Sequence, residues 1–351
     1  MPSNLPRHLS RDLTKILSNK LVQLTLVLFF VFLIIPFLFA IALDVKPSQD
    51  ITYGANFSPE YAQFLTGDWK KVYLALLDDL KVNNLRLVAY WSKIEKERGI
   101  YDFSELDWQL TEAKKRNVSV VLALGRKVPR WPECHLPKWA KKLSDQEQEK
   151  RLLELLKVEV EHFKNYDNIK IWQVENEPYF PFGECDFPRW EFVRSEVNLV
   201  RLLDSRPIIV QDSGEGGFWL PTYKLGDYLG ISMYRRIWYD FWGVIFGKHI
   251  FFTYPLSHWS YPLKARILGI PLDKVVVLEL QAEPWGDGAV NELTLDVKDR
   301  TMSKDKFFET MSYAQKTGIG AFYFWGAEWW YWEKEFNNEP FFWNASKAFW
   351  K

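Results

Sequence analysis

The stretch Ile169-Lys170-Ile171-Trp172-Gln173-Val174-Glu175-Asn176-Glu177-Pro178 decides the fold. Its first half alternates as a β-strand does. Its end is abrupt, because Pro178 has no N–H to give a sheet ladder. Glu177 is thereby left at a strand tip beside the amide of Asn176. Strand tips are where barrel enzymes carry their acids and bases. A solvated loop Glu would look the same in isolation, so the neighbouring elements decide.

Working outward, seven further runs read as strands: Ile51–Phe57, Asn84–Tyr90, Ser119–Leu124, Pro207–Gln211, Tyr228–Met233, Lys274–Leu280 and Gly318–Phe324. With Ile169–Glu175 they make eight. Helical stretches separate them, at Asp68–Leu80, Phe103–Arg116, Gln146–Phe163, Arg189–Leu203 and Lys304–Lys316. Ser104-x-x-Asp107 resembles a capping box with Asp in place of Glu. Strands alternating with helices argue a parallel sheet. Eight such strands in roughly 300 residues, with no internal repeat, predict one (β/α)8 TIM barrel over residues 51–351. The alternative is a doubly wound open sheet, but its phosphate-binding glycine fingerprint is absent.

Composition excludes several functions. The 351 residues carry 45 acidic and 45 basic groups, so no net field favours nucleic acid. Two cysteines and five scattered histidines offer no zinc spacing, and neither a metal nor an organic cofactor is expected. Aromatic residues reach 17 %, including 18 Trp and 26 Phe. Rings in that number suit either a large core or a sugar-binding cleft, where a ring face packs on a pyranose. Oligomeric state is not legible.

The N-terminal segment 1–20 carries Arg7, Arg11, Lys15 and Lys20. Residues 21–43 are then uncharged and mostly Leu, Phe, Val and Ile. At 1.5 Å per residue this run reaches roughly 34 Å, enough for a transmembrane signal-anchor helix. The basic flank places the N-terminus in the cytoplasm and the barrel outside, membrane-anchored by a single pass. A cleaved signal peptide is the rival, with Ala40-Ile41-Ala42 as its cleavage site. The linker 44–50 spans at most about 25 Å, which keeps the barrel close to the membrane.

The strand tips hold the candidate chemistry. Arg86 lies in an apolar second strand and needs a carboxylate partner if buried. Carboxylates end the fourth and seventh strands, at Glu177 and Glu279, on opposite sides of a barrel mouth. Two opposed carboxyl groups among aromatic platforms are the equipment of glycoside hydrolysis. One must hold a proton while the other stays ionised. Arg86 would hold Glu279 ionised, and Tyr234, after the sixth strand, would hydrogen-bond it. Glu283, beside Pro284, is the rival to Glu279. Glu175 would partner a basic residue below the site. Asn176 and Glu177 are neighbours, so both reach one cleft only if the strand ends or bulges there. Trp238-Tyr239-Asp240-Phe241-Trp242-Gly243-Val244-Ile245-Phe246, continuing to Phe252, reads as an apolar loop after the sixth strand.

The chain resembles the clan A glycoside hydrolases, retaining (β/α)8 enzymes of the family 5, 42 and 35 type. Asn176-Glu177-Pro178, Arg86, Trp325 and the run Leu87 to Glu95 with Gly99-Ile100-Tyr101-Asp102-Phe103 carry the resemblance. It implies Glu177 as general acid/base and Glu279 as nucleophile, with Asn176 on the sugar 2-hydroxyl. It also implies Tyr234 holding the nucleophile and Trp325 flooring a sugar subsite. Gln281 matches the Glu-x-Gln arrangement of some relatives, and Trp91, Trp131 and Trp285 complete the candidate carbohydrate-binding set. A catalytically inactive glycan-binding barrel is the second reading, and a barrel enzyme acting on another polar substrate the third. Cys134 and Cys185 fall in the loops after strands three and four, where a disulfide requires Cα atoms within roughly 7 Å.

Overall fold

The computed structural model describes residues 20–35, 37, 47–48, 50–239 and 250–350. The chain divides into two units, Met1–Lys46 and Pro47–Lys351. In the first, Lys20–Phe29 is α-helical and Phe30–Ile34 continues as a π-helical turn. Among the described residues no helix is long and apolar enough to cross a membrane. Most of the segment 1–20, the far part of the apolar run 21–43 and most of the linker 44–50 lie outside the described residues.

The second unit is a closed barrel of eight parallel strands. In chain order they are β1 Thr52–Asn56, β2 Asn84–Val88, β3 Ser119–Leu124, β4 Ile169–Val174, β5 Ile208–Asp212 and β6 Tyr228–Met233, with β9 Val275–Gln281 and β10 Ala321–Trp325 after an inserted hairpin. That hairpin, β7 Arg236–Tyr239 against β8 Ile250–Thr253, is antiparallel, so the ends of the apolar loop after β6 are paired strands. Residues 240–249, the middle of that loop, lie outside the described residues.

Alternation along the strands builds two cores. Val120, Leu122, Leu124, Val210, Val275, Val277 and Phe322 face the helical shell. Val121, Ile209, Val276, Leu278 and Tyr323, from four strands, form a separate cluster that plugs the bore. The helices begin where local chemistry allows. Ser144 caps Asp145–Phe163 in a full capping box with Glu147, and Asp68 caps Trp69–Asp78. The Ser104-x-x-Asp107 box does not form. Ser104 is already inside the helix Ser104–Lys115, its hydroxyl donates back to Asp102, and Asp107 instead meets His162 and Tyr166.

Candidate active site

Strand β4 ends at Val174, and the next three residues do not continue the pleat. Glu175 and Glu177 both adopt left-handed backbone, with φ of 58° and 46°. Such angles are uncommon outside glycine and are held only by surrounding bonds. Here Asn176 N–H donates to the Lys127 carbonyl at 2.7 Å, and the Lys127 ammonium donates to the Glu177 carbonyl at 2.7 Å. The turn lets Asn176 and Glu177, which a regular strand would send to opposite faces, meet the same cluster. Among the described residues Glu175 forms no ion pair with a basic side chain, contrary to the sequence reading. Its carboxylate accepts the backbone N–H groups of Arg126 and Lys127 at 2.7 and 2.9 Å. A Cβ on Gly125 would lie 2.6 Å from that carboxylate, so glycine is required there.

A bulge delivers the second carboxylate. Val275 and Val277 face the shell, so strict alternation would send Glu279 there too. Instead the register between β6 and β9 shifts, pairing Ile231 with Val277 but Ser232 with Glu279. The extra residue turns Glu279 inward. Its Oε1 accepts Arg86 Nη1 and Gln211 Nε2, both at 2.9 Å, and its Oε2 accepts the Tyr234 hydroxyl at 3.1 Å. Burial, then the Glu279 charge, raises the Tyr234 pKa well above the usual phenol range, so this hydroxyl stays a donor.

Arg86 is the hub. It is fully buried and donates to Gln173 at 2.7 Å, Asn56 at 2.9 Å, Asn176 at 2.7 Å, Gln211 at 2.7 Å and Glu279 at 2.9 Å. The partners come from β1, β4 and its tip, β5 and β9. Replacing Arg86 with Leu takes the cation from a buried carboxylate and a donor from four amide oxygens. The expected cost is about 3–5 kcal/mol, read as a lowered urea midpoint.

Glu177 is held differently. Among the described residues it has one side-chain donor, Ser232 Oγ at 2.6 Å, and it is buried. Burial, followed by repulsion from Glu279, raises its pKa to about 8. The two carboxyl groups therefore sit in opposite settings, one beside a guanidinium, the other holding a proton at neutral pH.

The loop after β3 closes one side of the mouth. Cys134 is bridged to Cys185, with Cα atoms 4.9 Å apart, which ties the loops after β3 and β4 together. Within this loop Arg130 lies between the rings of Tyr61 and Trp325, at 3.8 and 4.1 Å. It pairs with Glu283 at 2.5 Å and Glu328 at 2.9 Å, and Glu283 also accepts the Tyr61 hydroxyl at 3.1 Å. Glu283 is thus locked in an ion-pair cluster, and one face of Trp325 is covered by Arg130.

Other candidates separate. Trp91 is fully buried and donates its indole N–H to Glu95, so it is packing rather than a sugar surface. Gln281 clamps the backbone of Arg236 through both amide atoms, at 3.0 and 2.6 Å, and anchors the hairpin rather than a ligand. Trp131 is 67 % exposed, and rings run in contact from it through Phe182 and Trp285 to Tyr234.

This geometry can be set beside known proteins. No family model matches the sequence, and no curated protein does. In structure the chain is similar to xylanase 10B from Thermotoga petrophila RKU-1 in complex with xylobiose. The TM-score is 0.52 at 18 % identity, covering 79 % of this chain and 82 % of that one. It is similar to GH5_18 from Streptomyces cattleya in complex with GlcNAc, at a TM-score of 0.56 and 13 % identity, covering 80 % and 71 %. It is also similar to an exo-β-1,4-mannosidase from Opitutaceae bacterium strain TAV5, at a TM-score of 0.56 and 15 % identity, covering 87 % and 61 %. The chain shares the (β/α)8 barrel fold of these structures.

Within that barrel, several contributors escape a strand-tip reading. Asn56, Gln173 and Gln211 are single polar residues in buried strands, and a polar residue in such a place implies a bonded network. That signal was available. Ser232 in β6 carried it too, whereas Lys127, Arg130 and Glu133, brought in by the loop after β3, carried none.

Proposed function

We propose that the chain is a retaining glycoside hydrolase acting on β-linked oligo- or polysaccharides by double displacement. The observation that carries this reading is the contrast between the two carboxyl groups. Glu279, held by Arg86, Gln211 and Tyr234, is the nucleophile that attacks the anomeric carbon. Glu177, with its raised pKa, protonates the leaving oxygen and then, as a base, activates the water that releases the sugar. The Asn176 amide oxygen is taken by Arg86, which turns its N–H donors toward the 2-hydroxyl. Tyr234 steadies the nucleophile, and Trp325, Trp285 and Trp131 offer ring surface to carbohydrate. Xylose, mannose and N-acetylglucosamine belong to the structural neighbours and do not choose this chain's sugar.

We also propose a single-pass anchor through residues 21–43, with the barrel extracytoplasmic. The Cys134–Cys185 bridge supports that compartment, since such bonds persist in oxidising surroundings.

A panel of aryl β-glycosides and β-linked polysaccharides tests the function. Release of aglycone or reducing ends by the purified protein, lost in Glu279→Gln, is the expected result. Binding of glycans without turnover would move the reading to the inactive barrel.

A further inference from the structure

One buried carboxyl group beside the proposed site has no part in the two-carboxylate chemistry. Glu133 is 4 % exposed, in left-handed backbone at a φ of 60°, one residue before the Cys134 bridge. Gly183 lies over it, because a Cβ there would come within 2.9 Å of the Glu133 Cβ. Among the described residues its Oε2 has no hydrogen-bond partner. The nearest cation, Lys127 Nζ, stands 3.6 Å away and already donates to the carbonyls of Glu177 and Phe180. Its Oε1 faces Asn176 Nδ2 at 3.5 Å, the outer limit of a hydrogen bond. A buried carboxyl group left so poorly satisfied in the free protein is costly unless something else completes it.

A hydroxyl group is the completing chemistry, because it donates and accepts at once. Set against an amide N–H and a carboxyl oxygen that meet only at 3.5 Å, it accepts from the first and donates to the second. Asn176 has its oxygen committed to Arg86 and Gln173, so only its N–H donors remain to face a ligand. We infer that Glu133 is a specificity-determining residue that accepts a hydrogen bond from the same sugar 2-hydroxyl to which Asn176 donates. This rests on the glycosidase reading and deepens it. The site then selects substrates with a free hydroxyl at C2, and the loop after β3, not only the strand tips, reads the sugar. Lys127, between Glu133 and the Glu177 carbonyl, fixes the spacing of the pair.

The test is a cycle between protein and substrate. For whichever aryl β-glycoside the protein cleaves, kcat/KM is measured for the parent, its 2-deoxy analogue and its 3-deoxy analogue. Each is measured with the unaltered protein, Glu133→Gln and Glu133→Ala. The intrinsic reactivity of each deoxy glycoside cancels when its penalty is compared between proteins. Burial holds the Glu133 pKa well above the usual carboxylate range, and a hydrogen bond to a neutral carboxyl oxygen is worth roughly 2- to 10-fold. The 2-deoxy penalty is therefore expected to shrink by about that factor in Glu133→Ala and by less in Glu133→Gln, with the 3-deoxy penalty unchanged. An unchanged 2-deoxy penalty, or a shrinkage confined to the 3-deoxy analogue, overturns the assignment while leaving the glycosidase reading in place. No hydrolysis of any parent glycoside by the unaltered protein overturns both. A purely structural Glu133 would lower every rate in proportion and leave the penalties equal.

Discussion

Glu279→Gln is expected to lower kcat on an aryl β-glycoside by at least about 10⁴-fold, because an amide cannot form the glycosyl ester. The fold should survive, since Gln keeps the size of the side chain and an oxygen to accept from Arg86 and Gln211, while its N–H group can donate to the Tyr234 hydroxyl oxygen. Glu283→Gln makes the contrast. Its carboxylate is paired with Arg130 and bonded by Tyr61, so its loss disturbs a buried ion cluster rather than the reacting atoms. The expected result is lowered stability with activity of the folded fraction kept within about tenfold. Steady-state kinetics beside a thermal melt separates the two variants. Full activity in Glu279→Gln, with loss in Glu283→Gln, would move the nucleophile.

The second large effect is at Glu177. Removing a general acid costs on the order of 10²–10⁴ in rate, most for substrates with poor leaving groups. Glu177→Ala should therefore hydrolyse an alkyl or sugar β-glycoside far more slowly than the unaltered protein, while a dinitrophenyl glycoside loses much less in the first step. The pH profile follows from the same residue. With its pKa raised to about 8, Glu177 is protonated at neutral pH, so kcat/KM should fall on the alkaline side near pH 8. In Glu177→Gln that alkaline limb should vanish from the residual activity. Stability carries the opposite sign. The folded state binds a proton that the unfolded state releases above roughly pH 4.3, so the native Glu177 lowers stability between that pH and about 8. Glu177→Gln should consequently raise the melting temperature at pH 7, and the gain should fade below about pH 4. A gain that persists in acid would mean that burial of this carboxyl is not its source.

Much of this architecture is legible in the sequence, for physical reasons. Parallel strands buried on both faces read as apolar runs, and Ser119–Leu124 and Tyr228–Met233 occupy the residues the pattern predicts. Arg86 is legible as a charge needing partners, because burial of an unpaired guanidinium is prohibitive. The rest depends on events that no local pattern encodes. The bulge that turns Glu279 inward is a register shift between strands that are distant in sequence. The left-handed turns at Glu175 and Glu177 are held by the loop after β3. Aromatic residues are the most ambiguous signal. Trp91 and Trp131 stand in similar sequence settings, yet one is fully buried and the other 67 % exposed. A ring's face is apolar in a core and in a sugar cleft alike, so only tertiary placement tells them apart.

The central claim is that Glu279 forms a covalent bond to the substrate's anomeric carbon. A 2-deoxy-2-fluoro glycoside with a good leaving group tests it most directly, since the fluorine slows release of the glycosyl enzyme. Intact-mass and peptide mass spectrometry after incubation should show one added sugar on the peptide carrying Glu279, with time-dependent loss of activity. The sugar on Glu283 or Glu177, or turnover with no covalent adduct at any time, would contradict the account.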